Sequence, residues 1–162
     1  MIMIKVLFVC LGNICRSPLA EAIFNHKVKE RNLSHALSAD SCGTSDYHIG
    51  ELPDERTIQC AEKFNITINH RGRQINRLDF KHFDYLLVMD RSNYDNVHAI
   101  MAQHNVTHDR ILMLRELADF QGINEVPDPY YGGEKEFQEV YEILDEAIEQ
   151  LLDKIEAEHI NV

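Results

Sequence analysis

A near-continuous apolar run, Ile4-Lys5-Val6-Leu7-Phe8-Val9, passes without a linker into Cys10-Leu11-Gly12-Asn13-Ile14-Cys15-Arg16-Ser17-Pro18. A run of this kind suits a strand buried on both faces, as in a parallel sheet covered by helices. Gly12 and Asn13 tolerate positive φ, so the backbone after the strand can curl with successive N–H groups facing inward as an anion nest. Ser17 suits an N-cap and Pro18 the first helical position, which predicts a helix whose positive dipole end points at the same nest. An oxyanion is the expected guest of such a turn.

Downstream, short β-branched runs alternate with longer helix-period segments, the pattern of parallel strands joined by crossover helices. Helices are expected over 18–32, over 54–64 with Asp54 near the start, and over 92–103 with Ser92 as N-cap. Strands are expected over 36–42, 84–89 and 110–114. From Glu134 onward Phe137, Tyr141, Leu144, Ile148, Leu151 and Ile155 recur every three or four residues, which predicts a long amphipathic closing helix. The fold class read from this order is α/β: three layers, a four-stranded parallel sheet with helices on both faces, in one domain over residues 1–162. Such sheets bind ligands beyond the carboxyl ends of their strands.

At 162 residues one hydrophobic core is sufficient, and the 44% hydrophobic and 27% charged fractions are those of a globular chain. No stretch reaches the roughly 18 apolar residues of a membrane span, and the start lacks the basic region and cleavage site of a signal peptide. Neither membrane insertion nor secretion is expected. The four cysteines, Cys10, Cys15, Cys42 and Cys60, are therefore expected as reduced thiols in a cytoplasmic setting. A net charge of −11 opposes contact with a phosphate backbone, so nucleic acid is not an expected partner. There is no His-Glu-x-x-His, no Cys-x-x-Cys, no Gly-Lys-Ser/Thr loop and no Gly-x-Gly-x-x-Gly; neither a metal nor another cofactor is expected.

The chemistry lies in the spacing of Cys10 and Arg16. One loop puts a sulfur at the floor of the nest and a planar guanidinium, suited to bidentate phosphate contact, at its wall. Of the four cysteines only Cys10 has this partner; Glu21, His48 and Ile66 stand six residues after the others. A helix N-terminus beside an arginine favours a thiolate over a thiol, so Cys10 is the candidate nucleophile. The bland alternative is a packed cysteine in a tight turn with a surface arginine.

Asp128 follows the fourth predicted strand, so its loop opens on the same sheet edge. Pro127 and Pro129 flank it and keep it out of helix, which suits a stiff, projected carboxyl. It is the candidate general acid, with an ordinary Pro-Asp-Pro surface turn as the alternative, and mildly acidic pH should favour the rate. Tyr47 and Tyr130 can wall a deep cleft and stack on an aromatic ring, or be ordinary surface tyrosines.

The loop from Cys10 to Pro18 resembles the signature loop of the low-molecular-weight protein tyrosine phosphatases, and the similarity runs through Asp128-Pro129-Tyr130-Tyr131-Gly132. The resemblance implies a flavodoxin-like sheet of order 2-1-3-4 and a metal-free hydrolysis of phosphotyrosine in protein substrates by a monomer or weak dimer. In that family's scheme Cys10 attacks phosphorus, while Arg16 and the amides of Leu11, Gly12, Asn13, Ile14 and Cys15 hold the phosphoryl oxygens. Asn13 braces the loop, Ser17 donates a hydrogen bond to the Cys10 sulfur, and His70 bonds the bracing asparagine. Protein arginine phosphatases share the loop but place Thr where this chain has Ile14, which favours tyrosine. Arsenate reductases of this type use cysteines after the third strand, where this chain has Val88-Met89-Asp90-Arg91-Ser92. A phosphate-binding module without turnover is the reading from a different class. Cys15 has two readings, a disulfide partner that protects an oxidised Cys10 or a small loop-filling side chain.

Overall fold

Side-chain alternation along the first strand decides how the molecule is layered. In the computed structural model, which describes residues 3–117 and 124–161, β1 (Ile4–Cys10) is central: β2 (Leu37–Gly43) and β3 (Tyr85–Val88) flank it, and β4 (Ile111–Met113) lies beyond β3. All pairs are parallel and the order is β2-β1-β3-β4, as the resemblance implies. Val6, Phe8 and Cys10 face one helical layer, built from α1 (Arg16–Glu30), α2 (Glu55–Glu62) and α6 (Glu134–Ile155). Leu7 and Val9 face the other, with Phe80 of α3 (Asp79–His82) and Val97 of α4 (Arg91–Gln103). This period-two alternation, both sides apolar, is why the run contains almost no polar residue.

The first layer is the larger. Phe8 meets Phe24 edge to face with ring centroids 5.8 Å apart, and Phe64 stacks on Tyr141 at 3.8 Å. All six periodic positions of α6 are buried. Burying an aromatic or branched side chain of this kind contributes roughly 1.5–3 kcal/mol, so the closing helix is fixed by its apolar stripe rather than by propensity. After it, Glu156–Ile160 forms a short π-helical segment whose His159 Nε2 meets Tyr85 Oη at 2.8 Å. No helix of the described residues is long and apolar enough to cross a membrane.

Two helix starts differ from the sequence expectation. α1 begins at Arg16 with Cys15 at its N-cap and no capping side chain; Ser17 lies within the first turn and its hydroxyl turns toward Cys10. α4 is capped by Asp90, whose Oδ1 accepts from Asn93 N at 2.8 Å, and not by Ser92. Asp90 lies in extended backbone straight after β3, the conformation an N-cap needs. Asp54, expected near the start of α2, is its N-cap and accepts from Arg56 N at 2.9 Å. The helices α3 and α5 (Leu114–Leu117) were not anticipated, since four residues carry no readable period.

Candidate active site

The register Cys10↔Gly43 and Val9↔Val88 brings the carboxyl ends of β1, β2 and β3 level, and their loops meet there. Because odd and even residues of β1 face opposite layers, Cys10 turns its sulfur toward α1, under that helix's first turn. The side chain is 3% exposed and Sγ lies 2.9 Å from Ser17 Oγ. Three carbonyls of the following loop are engaged by neighbours: Cys10 O by Thr44 N, Leu11 O by Ser45 N, and Ile14 O by Asp54 N. The loop is thereby held open from outside.

Asn13 sits at φ 59°, the left-handed conformation expected of it. Gly12, in contrast, does not take positive φ; a Cβ there would stand 2.9 Å from the His48 ring, a side chain that would have to shift to admit it. Asn13 is fully buried beneath the loop. Its Nδ2 donates to Ser17 Oγ (2.8 Å) and Ser41 Oγ (3.0 Å), while its Oδ1 accepts from Arg73 N (3.0 Å) and from His70 Nε2 (2.7 Å). Those partners fix the amide's orientation and, with it, the proton on His70 Nε2. Ser17 Oγ accepts from Asn13, so its own hydrogen faces two acceptors, the Cys10 sulfur at 2.9 Å and the Cys42 carbonyl oxygen at 3.3 Å.

Behind His70 stand Glu21 and Asp40. Glu21 Oε1 lies 3.1 Å from His70 Nδ1 and accepts from Ser41 Oγ at 2.8 Å. Glu21, Asp40 and His70 place three potential metal-ligand atoms within 4.8 Å of one another, but these hydrogen bonds already account for the cluster as a brace.

Arg16 is nearly buried. Its Nη1 donates to Asp90 Oδ2 at 2.7 Å and to Val126 O at 2.9 Å, and its Nη2 lies 3.7 Å from Asp128 Oδ2. Burial alone would lower the guanidinium pKa, yet Cys10 and the Asp90 and Asp128 carboxylates outweigh it and raise the value further, so Arg16 is a permanent cation. Sequence reasoning missed Asp90. The available signal was its place directly after a strand at the ligand-binding edge, where aspartate ranks with serine as an N-cap.

Asp128 is partly exposed, and its Oδ1 accepts from Tyr130 N at 3.1 Å. Cys10, Leu11, Gly12, Ile14, Cys15, Arg16, Tyr47, His48, Asp128, Tyr130 and Tyr131 line a single cleft of about 300 Å³. The structure thus brings together every expected site residue except Asn13, Ser17 and His70, which support the floor from below. His48, to which the sequence assigned no role, borders the cleft and pairs with Glu51 Oε2 at 2.9 Å. All four cysteines are free thiols. Burial chiefly, helped by the negative charges of Asp54, Cys10 and Asp128, pushes the Cys15 thiol up to about 12. Cys15 stays neutral near pH 7 and does not compete as a nucleophile.

The description "Low molecular weight phosphotyrosine protein phosphatase" belongs to the family model that matches residues 5–161. A low molecular weight phosphotyrosine protein phosphatase of Schizosaccharomyces pombe is 42% identical over 140 residues, covering 85% of this chain and 88% of that protein. Among solved structures, YfkJ of Bacillus subtilis superposes with TM-score 0.88 at 38% identity, covering 97% of both chains. The drosophila arginine phosphatase DARP superposes with TM-score 0.89 at 34% identity, covering 96% of this chain and 99% of that one. With the match running through the cleft and nearly the whole length, the chain belongs to the low molecular weight phosphotyrosine protein phosphatase family.

Proposed function

We propose that this protein hydrolyses phosphotyrosine monoesters of proteins through a cysteinyl-phosphate intermediate. The observation that carries the reading is one cleft lined at once by the Cys10 sulfur, the Arg16 guanidinium and the Asp128 carboxyl. Cys10 attacks phosphorus as the thiolate, with the Ser17 hydroxyl donating to the sulfur from 2.9 Å. Arg16 and the loop amides take the phosphoryl oxygens, a phosphate-binding loop at a helix N-terminus. As the S–P bond forms and the P–O bond breaks, Asp128 gives its proton to the departing phenolic oxygen. The carboxylate so produced takes a proton from water, which attacks phosphorus, breaks S–P and releases inorganic phosphate. No metal is required by these steps.

Depth supports tyrosine. The sulfur is almost buried, whereas Tyr47 and Tyr130 are exposed at the mouth, so an aromatic phosphate ester spans the distance and can stack on their rings. A second reading, phosphoarginine, is favoured by the likeness to the drosophila arginine phosphatase. Against it, Ile14 lines the cleft with no hydroxyl to offer. The reading places the enzyme in the cytoplasm as one domain, monomeric or weakly dimeric, acting on phosphoproteins; a reduced sulfur is what the chemistry needs.

Phosphotyrosine, phosphoserine and phosphoarginine peptides assayed for released phosphate test this. The wild type should turn over phosphotyrosine by a wide margin, and Cys10→Ser should lose on the order of 10⁴- to 10⁶-fold. Preference for phosphoarginine would replace the substrate, and appreciable turnover by Cys10→Ser would remove the covalent route.

A further inference from the structure

Among the described residues, the loop that carries Asp128 is tied down on both sides of the acid. Upstream, Val126 N donates to Met89 O at 2.8 Å and Val126 O accepts from Arg16, which ties the loop to the end of β3. Downstream, Arg56 holds two of its carbonyls: Arg56 Nη2 donates to Tyr130 O at 3.0 Å and Arg56 Nη1 donates to Gly132 O at 2.9 Å. The Gly132 N to Pro129 O bond of 2.8 Å closes the turn between them. Arg56 is itself fixed, with Nε and Nη2 on the two oxygens of Asp54 at 3.0 and 2.9 Å and its guanidinium 4.4 Å from the Phe137 ring centroid. Asp54 in turn donates its N–H to Ile14 O at 2.8 Å, inside the loop that follows Cys10.

We infer that Arg56 is a positioning residue for proton transfer, setting the place of Asp128 relative to the Cys10 sulfur by clamping the acid's loop to the nucleophile's loop. The inference rests on the phosphatase reading above. An acid must come within hydrogen-bond reach of the oxygen it protonates, and a displacement of about 1 Å can cost about 10²-fold. Only a guanidinium reaches two carbonyls and both oxygens of one carboxylate together; an ammonium offers a single point of attachment.

The test is kcat/KM over a series of aryl phosphates of graded leaving-group basicity, a quantity that reports the step in which the P–O bond breaks. For Arg56→Ala we expect losses of about 10- to 100-fold with poor leaving groups and less than about threefold with activated ones. Asp128→Ala should show a steeper version of the same slope. In the Asp128→Ala background, removing Arg56 should not steepen the slope further, because the group it positions is gone. Arg56→Lys, which keeps the charge, should tilt the slope in the same direction and carries the test if Arg56→Ala does not fold. A merely structural role would lower the whole series by one factor. Such uniform loss, or full additivity with Asp128→Ala, overturns the inference while leaving the phosphatase reading standing; turnover by Cys10→Ser would instead overturn that reading.

Discussion

Asn13 adopts a conformation that costs most L-residues about 1–2 kcal/mol, and its amide makes four hydrogen bonds beneath the loop that holds the sulfur. Backbone strain and hydrogen bonding can be separated at this one position. Asn13→Ala should destabilise the fold by about 2–4 kcal/mol, from strain plus buried groups left unpaired. Asn13→Gly should recover about 1 kcal/mol of that in urea unfolding, because glycine accepts positive φ. It should not recover kcat/KM, since nothing then fixes the Ser17 hydroxyl toward sulfur; full recovery of both would mean the amide's bonds are dispensable. The sequence exposed the tolerance of Asn13 for this turn, and the resemblance supplied His70 and Ser17. It could not expose Ser41, Glu21, Asp40 or Arg73, which reach Asn13 and His70 only through the register of β2 on β1 and the pitch of α1. Residues 84–92 offered Asp90 as a cap but not its second role, one carboxylate shared between capping α4 and pairing with Arg16.

Among the elements, the four strands and the helices of eight residues or more were legible, the short β3 and β4 included, and the single-turn helices were not. β1 and α6 carry their pattern over seven and 22 residues; β1 ends one residue beyond the expected run, and α6 starts at Glu134 as expected. α3 and α5 are single turns fixed by tertiary packing. Helix starts depended on which of two good caps wins: at α4 the extended backbone leaving β3 favours Asp90 over Ser92. The start of α2 offers a test of electrostatics at this scale. The Arg56 hydrogen bonds hold the Asp54 carboxyl below the usual carboxylate range, against the opposing effect of burial. A folded-state value lowered in this way contributes stability that is complete above the unfolded value of about 4 and is lost as pH falls through the folded one. Asp54→Asn keeps a capping oxygen and removes the charge. It should be less stable than the parent near pH 7, with the gap closing below about pH 4. A gap that stays constant down to about pH 3 would assign the loss to packing instead.

For the molecule as a whole, the parallel sheet does the assembling: it gathers at one edge a sulfur from the end of β1, an arginine from the start of α1 and a carboxylic acid from a loop more than a hundred residues later. The arrangement concentrates positive charge in the cleft floor of a chain whose net charge is −11. The Arg16 guanidinium gives a single tetrahedral dianion a local site that the overall negative charge does not forbid. The most direct measurement is mass analysis of the protein quenched in alkaline denaturant during turnover of an aryl phosphate, followed by peptide mapping at alkaline pH. The covalent route requires one phosphoryl adduct, on the Cys10 peptide, absent from Cys10→Ser; steady turnover with no adduct there, or with the adduct on another residue, would rule it out.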